Sequence, residues 1–285
     1  MVKFLRHLLP ILSPSFIPPQ NDKVISKVNS NHDFYLPFRQ HAPSLKNARQ
    51  VIYADVDRLV SNDGIGFFNI LAFRGVFFGS PFAQSSRYRW FDSLSDWEHF
   101  RDAGKGKADN YKGEEYYVKK TCYGHYQTGR QLSLLSLYWN KRLLFNDLFD
   151  KPEKPTVTQV FRRLTQTVID DNGSKKSTTK FPNIGKLTAL LICGDLVEAR
   201  ILDMPSTSEW AKSIINMGRG SKDGMEECGF VRKGCSKEDF CMAFVLLDEA
   251  LQNELQDEEK EAMGYNIVML EHALCKIKRI GVHLF

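Results

Sequence analysis

The stretch Phe181-Pro182-Asn183-Ile184-Gly185-Lys186-Leu187-Thr188-Ala189 carries most of what this sequence says about its fold. It comes close to the pattern apolar-Pro-Gly-Val-Gly-x-x-Thr-Ala, which is typical of the hairpin in a helix–hairpin–helix element. Pro182 ends a preceding helix because proline has no amide proton, and Gly185 permits a tight turn. The apolar run from Thr188 to Val197 then predicts a buried second helix.

This hairpin also predicts a phosphate contact. The first amides of a helix have no intrahelical acceptor, so they can donate to a backbone phosphate of a nucleic acid. We therefore expect Asn183, Gly185, Lys186 and Thr188 to contact double-stranded DNA. An ordinary tight turn between two core helices would give a similar pattern and stays open as an alternative.

The composition permits a polyanionic partner without requiring one. The 285 residues include 39 basic and 34 acidic side chains, a net charge of +5, and many small enzymes carry a similar charge. The local clustering is more informative, because the last of three basic groups surrounds the hairpin. The groups are Arg39, His41, Lys46 and Arg49; Lys105, Lys107, Lys112, Lys119 and Lys120; and Lys175, Lys176, Lys180 and Lys186.

Residues 1–33 are predicted to be an irregular tail, because Pro18-Pro19 and a polar stretch disfavour regular structure. Residues 34–285 are predicted to form one helical domain. The apolar start, residues 1–17, is too short to span a bilayer and contains charges, so no membrane association is expected. Six cysteines without secretory features suggest reduced thiols in a cytoplasmic or nuclear setting.

No stretch alternates over strand length, so the sequence predicts an all-α protein. The segment 64–79, GIGFFNILAFRGVFFG, is expected to be a buried helix. Its one charge, Arg74, needs a carboxylate or a ligand phosphate as partner. A Gly-rich turn is expected at 218–224. The other predicted helices lie within 46–60, 92–102, 132–149, 157–169, 187–199, 208–217, 237–255 and 258–280.

Four sequence blocks occur in a definite order along the chain. The third and fourth are the most specific, since the first two occur in many helical DNA-binding proteins. The blocks are Tyr123-Gly124-His125-Tyr126, then Leu190-Leu191-Ile192-Cys193-Gly194-Asp195-Leu196, then Gly218-Arg219-Gly220-Ser221-Lys222-Asp223-Gly224-Met225, and last Leu270-Glu271-His272-Ala273-Leu274-Cys275-Lys276-Ile277-Lys278-Arg279.

Together, these blocks resemble the α-glutamyl/putrescinyl thymine pyrophosphorylase family over about residues 45–281. The helical domain of 5-hydroxymethyluracil DNA kinases belongs to the same group. The resemblance implies a helix–hairpin–helix, DNA-glycosylase-like fold. It also implies a role in DNA hypermodification, which is typical of bacteriophages and other viruses that disguise their genomes.

The implied reaction replaces the pyrophosphate of a pyrophosphorylated 5-hydroxymethyluracil in DNA with an amine. The amine would be an amino acid or a polyamine, and the modified thymine would be flipped out of the duplex. A separate 5-hydroxymethyluracil DNA kinase is expected upstream, because the sequence contains no GxxxxGK[ST] loop. Arg74, Tyr123 and His125 are further candidates for DNA or phosphate binding.

The glycine-rich block is the candidate diphosphate site. Glycines at 218 and 220 leave backbone amides unshielded beside a lysine. A helix C-cap would also explain these glycines and stays open. Mg²⁺ would suit a diphosphate, although no carboxylate cluster in the sequence demands a metal. The expected diphosphate-binding residues are Gly218, Arg219, Gly220, Lys222 and Asp223.

Two carboxylates are the candidate catalytic groups. Asp195 lies near the end of an apolar helix, where burial would raise its pKa unless it is paired, which suits a general base. Pairing with Arg200 or Lys186 is the structural alternative. Glu271 shares a helix face with Cys275 and is the second candidate for acid–base work or amine recognition. His272 is a further candidate, more typical of a satisfied surface or core histidine.

The chain departs from the family pattern at two places. Its last block has Lys276 and Lys278 where the family usually carries acidic residues, and Arg219 replaces a proline in the turn. A binding module that positions a modifying enzyme is therefore one rival hypothesis. The other rival is a glycosylase that uses Asp203, although Leu187 occupies the position of the Schiff-base lysine. The spacing of Cys228, Cys235 and Cys241 is similar to an iron–sulfur loop that has lost one ligand.

Overall fold

The computed structural model describes residues 1–104, 113–117, 131–166, 181–215 and 220–281. All regular structure in these residues is helical, which confirms the all-α class for this part of the chain. The π-helix is Phe73–Phe77, and short 3-10 helices occupy Leu9–Leu12, Arg39–His41, Glu114–Tyr116 and Arg142–Phe145. The α-helices are α1 Val2–Leu8, α2 Lys23–Ser30, α3 His32–Tyr35, α4 Pro43–Val51, α5 Val56–Leu59, α6 Ile65–Ala72, α7 Pro81–Gln84, α8 Leu94–Gly104, α9 Leu134–Lys141, α10 Asn146–Phe149, α11 Val157–Thr165, α12 Lys186–Glu198, α13 Thr207–Ile215, α14 Gly220–Glu227, α15 Lys237–Glu254, α16 Asp257–Met263 and α17 Ile267–Ile280.

The chain forms two compact units, where the sequence predicted a tail and one domain. Unit 1 combines Met1–Leu45 with Pro205–Phe285, and unit 2 is Lys46–Met204. The periodicity of a sequence shows which face of each helix is apolar, but it does not show which distant helices share a core. The division into two units therefore had no signal in the pattern.

The first 33 residues are not an irregular tail. They contain α1 and α2, and the Asp22 carboxylate caps α2 by accepting from the amides of Val24 and Ile25 at 2.9 Å. Each helix is only seven or eight residues long, so its apolar face was too short to stand out beside the prolines. The buried residues of the two helices are Phe4, Leu5, Leu8, Val24, Ile25 and Val28.

The aromatic segment of unit 2 is buried, as predicted, but it is not one regular helix. The α-helix α6 ends at Ala72 and continues as the π-helix. The phenylalanines of this segment belong to the core. Phe77, for example, packs 5.3 Å from the ring centre of Phe82 and 5.1 Å from that of Trp97. A π-helix inserts an extra residue into the turn, and such insertions are frequent at functional sites.

Helix α12 is deeply buried in unit 2. Ten consecutive residues, from Thr188 to Val197, are buried. This explains why the sequence is apolar around the whole helix rather than along one stripe. Helix α11 packs against α12 and begins with a capping box at Thr156, whose hydroxyl accepts from the Gln159 amide.

Helix α14 of unit 1 replaces part of the predicted Gly-rich turn, because the helix begins at Gly220. Gly220 and Gly224 are four residues apart, so they share the helix face that packs on α17. A Cβ atom on Gly220 would lie 2.6 Å from Cys275 Sγ, and one on Gly224 would overlap the Leu274 carbonyl group. Both glycines therefore allow two helices to pack closely.

Three helices predicted as continuous are interrupted, and the first of them, within 46–60, divides into α4 and α5. The segment 258–280 divides into α16 and α17 at Gly264, which has a φ of 64° and ends α16. The Asn266 side chain then caps α17 by accepting from the Met269 amide at 2.9 Å. The segment 132–149 likewise passes from α9 through a 3-10 helix into α10.

Candidate functional site

The hairpin residues Phe181–Gly185 form a tight turn before α12. The side chains of Phe181 and Ile184 are fully buried, and the Ile184 amide donates to the Phe181 carbonyl at 3.0 Å. Asn183 has a φ of 63° at the position where the motif carries glycine. Asparagine is one of the few residues that tolerate this left-handed region, so the departure from the motif preserves the turn.

The first amides of α12 lie outside the helical hydrogen-bond pattern. Gly185 precedes the helix without a side-chain cap, and an added Cβ there would meet no atom within 4 Å. The first intrahelical hydrogen bond runs from the Ala189 amide to the Gly185 carbonyl at 2.9 Å, so the amides of 186–188 precede the helical ladder. Lys186 is exposed beside them, whereas the Thr188 side chain is buried.

Asp195 is part of a buried ion pair in unit 2. The Arg74 guanidinium donates to both carboxylate oxygens, at 2.6 Å to Oδ2 and 2.5 Å to Oδ1. The Tyr53 hydroxyl donates to Oδ2 at 3.1 Å. Arg74 therefore has a carboxylate partner, one of the two kinds that the sequence left open. Neither Arg200 nor Lys186 is the partner seen in these contacts.

This pairing gives Asp195 and Arg74 a structural role, and it does not support the catalytic role expected of Asp195 or the DNA contact expected of Arg74. Both side chains are at most 1% exposed, and each is occupied by the other's charge. The surroundings are equally inaccessible. Burial raises the pKa of the Tyr53 and Tyr88 hydroxyls well above 10, with the Asp195 charge adding to the effect.

Glu271 lies at the contact between α14 and α17 in unit 1. It is 4% exposed, and the Cys275 thiol donates to Glu271 Oε1 at 3.1 Å. This contact confirms that the two residues share a helix face. The Ser221 hydroxyl also forms a hydrogen bond with Glu271. The third and fourth sequence blocks therefore meet at one carboxylate.

Burial raises the pKa of Glu271 above its ordinary value of 4.5. Hydrogen bonds from Cys275 and Ser221, together with the charges of Arg39 and Arg279, act in the opposite direction. Burial also raises the pKa of the Cys275 thiol well above 9, so the thiol stays protonated and acts as a donor. The arrangement can hold and release a proton at Glu271. Asp195 and Glu271 belong to different units.

The residues expected to bind a diphosphate have other contacts where the structure describes them. Gly218 and Arg219 lie outside the described residues. Gly220 packs on Cys275, and Asp223 forms an ion pair with Lys278. Lys222 is half-buried on α14. Because the described glycines serve helix packing, their presence does not by itself indicate a phosphate cradle, and the diphosphate role stays a prediction.

The two lysines that depart from the family pattern have structural contacts. The buried Lys276 ammonium donates to the carbonyls of Asp33 at 2.9 Å and Phe34 at 2.8 Å, at the end of α3. Carbonyls at the C-terminal end of a helix carry partial negative charge and are a favourable place for a cation. Lys278 pairs with Asp223.

The remaining candidates are surface or core residues, or lie outside the described ranges. Tyr123 and His125 fall outside those ranges. His272 is buried, with Nε2 3.3 Å from the Leu36 carbonyl oxygen, as expected for a satisfied core histidine. Asp203 is exposed and pairs with Lys154 at 3.2 Å. Sequence reasoning missed Tyr53 and Ser221, because an isolated tyrosine or serine carries no motif.

A metal site and a membrane-spanning helix each have requirements with which the described part of the chain can be compared. No group of three or more His, Cys, Asp or Glu side chains there could hold a metal ion, so those residues offer no ready Mg²⁺ or iron–sulfur site. The cysteines at 228, 235 and 241 are free thiols. None of the described helices combines the length and apolar character that crossing a bilayer requires.

Comparison with known proteins gives no relative: no protein-family model, curated protein or solved structure matches this chain.

Proposed function

We propose that the protein binds duplex DNA by a backbone phosphate at the hairpin, as a helix–hairpin–helix element does. The observation that carries this proposal is the start of α12. There Gly185 is exposed and provides no side-chain cap, the amides of 186–188 precede the helical hydrogen bonds, and Lys186 is exposed beside them. Amides and a cation in this arrangement suit one phosphate group.

Such a contact recognises the DNA backbone rather than its sequence. Lys186→Ala should therefore weaken binding to all duplexes alike and reduce the slope of log Kd against log salt by about one ion. Fluorescence anisotropy with two unrelated duplexes at several salt concentrations measures both quantities. Lys23→Ala removes an exposed charge from α2 in unit 1 and is the matched control. An unchanged slope for Lys186→Ala would contradict the phosphate contact.

As a second step, we propose that the bound DNA is modified at a flipped pyrimidine. The resemblance of the four blocks implies replacement of pyrophosphate by an amine on pyrophosphorylated 5-hydroxymethyluracil. In this reaction the amine nitrogen bonds to the exocyclic carbon, the carbon–oxygen bond breaks, and pyrophosphate leaves with the electron pair. The amine must lose a proton, and a base in the protein would accept it.

Glu271 is our candidate for this base. The observation that favours it is the meeting of the third and fourth blocks at one buried carboxylate with a raised pKa. A raised pKa makes a carboxylate a better proton acceptor. Asp195 is not our candidate, because it is paired with Arg74. The chemistry assigned to Glu271 rests on the resemblance together with this geometry.

One assay distinguishes the proposed modification from the two rival hypotheses, a glycosylase and a binding module. The protein is incubated with duplex that contains pyrophosphorylated 5-hydroxymethyluracil and a mixture of amino acids and polyamines, and the digested nucleosides are analysed by mass spectrometry. An aminated nucleoside with pyrophosphate release supports the transferase. Free base with abasic sites supports a glycosylase, and binding without either product supports a module that positions another enzyme.

The variant Glu271→Gln tests, in the same assay, whether Glu271 is the proton acceptor. It should lower the rate of amination by about 100-fold or more while leaving DNA affinity unchanged. The glutamine keeps the size of the side chain, so thermal unfolding of the variant checks that unit 1 stays folded. An unchanged amination rate would remove Glu271 from the mechanism.

A further inference from the structure

The hairpin turn has the features of a type II β-turn. Pro182 occupies its second position, Asn183 has a positive φ at the third, and the Ile184 amide closes the turn onto the Phe181 carbonyl. A type II turn differs from a type I turn mainly in the orientation of its central peptide group. The direction of the Pro182 carbonyl therefore decides which turn is formed.

A buried tyrosine holds that carbonyl. Tyr138 lies on α9, is fully buried, and its hydroxyl donates to the Pro182 carbonyl oxygen at 2.6 Å. The hydroxyl reaches this oxygen because the π-helix has no side chain at Gly75. A Cβ atom there would overlap the Tyr138 hydroxyl. Gly75 therefore leaves the space that the Tyr138 hydroxyl occupies.

We propose that Tyr138 is a positioning residue that fixes the hairpin in the form that receives a phosphate. This inference rests on the proposed DNA-binding function. Phe181 and Ile184 anchor the turn by burial, and Phe181 stacks on Phe145 at 5.4 Å. That apolar anchor holds the ends of the turn, whereas the hydroxyl of Tyr138 determines how its central peptide faces. The amides that follow depend on that orientation.

The test compares Tyr138→Phe with Tyr116→Phe. Tyr116 is also fully buried in unit 2, and its hydroxyl has no hydrogen-bond partner among the described residues, so its removal is a matched control. Each variant is assayed for duplex affinity across a range of salt concentrations. Hydrogen exchange of the peptide covering residues 181–189 is followed by mass spectrometry on the same protein.

Tyr138→Phe should weaken duplex binding about tenfold at every salt concentration, the effect of losing one well-formed hydrogen bond. The salt slope should not change, because the bound form still contacts the same phosphate. Exchange of 181–189 should be faster than in the wild type. Tyr116→Phe should match the wild type in both affinity and exchange.

Wild-type affinity and exchange in Tyr138→Phe would overturn the inference. So would weakened binding that is accompanied by faster exchange throughout unit 2, since that describes a general loss of packing. A wild-type protein that binds no duplex at low salt would overturn the DNA-binding function instead. In that case the exchange of 181–189 still decides whether Tyr138 fixes the turn.

Discussion

At the residue scale, the Arg74–Asp195 pair gives a clear prediction for stability. Removing one partner of a buried ion pair leaves an uncompensated charge, which typically costs about 3–5 kcal/mol. Asp195→Asn should therefore lower the urea midpoint strongly, and any loss of DNA affinity should follow from unfolding. The double variant Arg74→Met with Asp195→Leu removes both charges and should be more stable than Asp195→Asn. Circular dichroism during urea unfolding measures both, and a wild-type midpoint for Asp195→Asn would contradict the pair's role.

Glu271 gives a prediction for the effect of pH. Burial raises the pKa of Glu271 in the folded protein above its ordinary value of 4.5, so the folded state binds this proton more tightly than the unfolded state. The resulting stability is fully present below pH 4.5 and is lost as pH rises through the folded pKa. In Glu271→Gln this loss should be absent. Urea unfolding of both proteins at a series of pH values above 4.5 measures the difference, and equal slopes would contradict it.

At the element scale, the glycines of α14 predict how closely it packs on α17. Gly224→Ala would place a Cβ atom against the Leu274 carbonyl and should destabilise the protein by about 1–3 kcal/mol. Gly185→Ala is the matched control, since its Cβ meets no atom within 4 Å and its φ of −79° suits any residue. Thermal unfolding compares the two variants. Equal midpoints would show that α14 can move away from α17 at no cost.

The same elements show what could be predicted from the sequence. Helix α12 was predicted within one residue at each end, because a long apolar run follows a proline–glycine turn. The interruption at Gly264 was missed, since one left-handed glycine hardly alters the apolar period. The glycines of α14 were interpreted as a phosphate cradle. A sequence does not distinguish a glycine that exposes its amide from one that admits a neighbouring helix.

In the candidate site, contacts between residues close in sequence could be predicted, whereas contacts between distant residues could not. The contact between Glu271 and Cys275 followed from helical spacing alone. The partner of Asp195 did not, because Arg74 lies 121 residues away and no local pattern joins the two positions. Lone charges in apolar runs correctly indicated that both residues needed partners. Only the folded structure shows that the two residues pair with each other.

At the scale of the whole molecule, the N-terminal residues are part of the core of unit 1. The six buried apolar residues of α1 and α2 contribute on the order of 10 kcal/mol, which is comparable to the whole stability of a typical domain. Hydrogen bonds and an ion pair join this segment to the C-terminal helices of the same unit. Arg6 pairs with Glu259 at 2.7 Å, and Lys27 donates to the Ile280 carbonyl at 3.1 Å.

Deletion of residues 1–33 should therefore unfold unit 1 while unit 2 stays folded. Hydrogen exchange followed by mass spectrometry should show fast exchange in α13–α17 and continued protection of α12, whose ten buried residues lie in unit 2. Replacing Ile17, which is 85% exposed between α1 and α2, with serine is the control that should leave both units protected. An irregular tail would be dispensable instead. Retained protection of α17 in the deletion variant would show that the core of unit 1 is complete without the N-terminal helices.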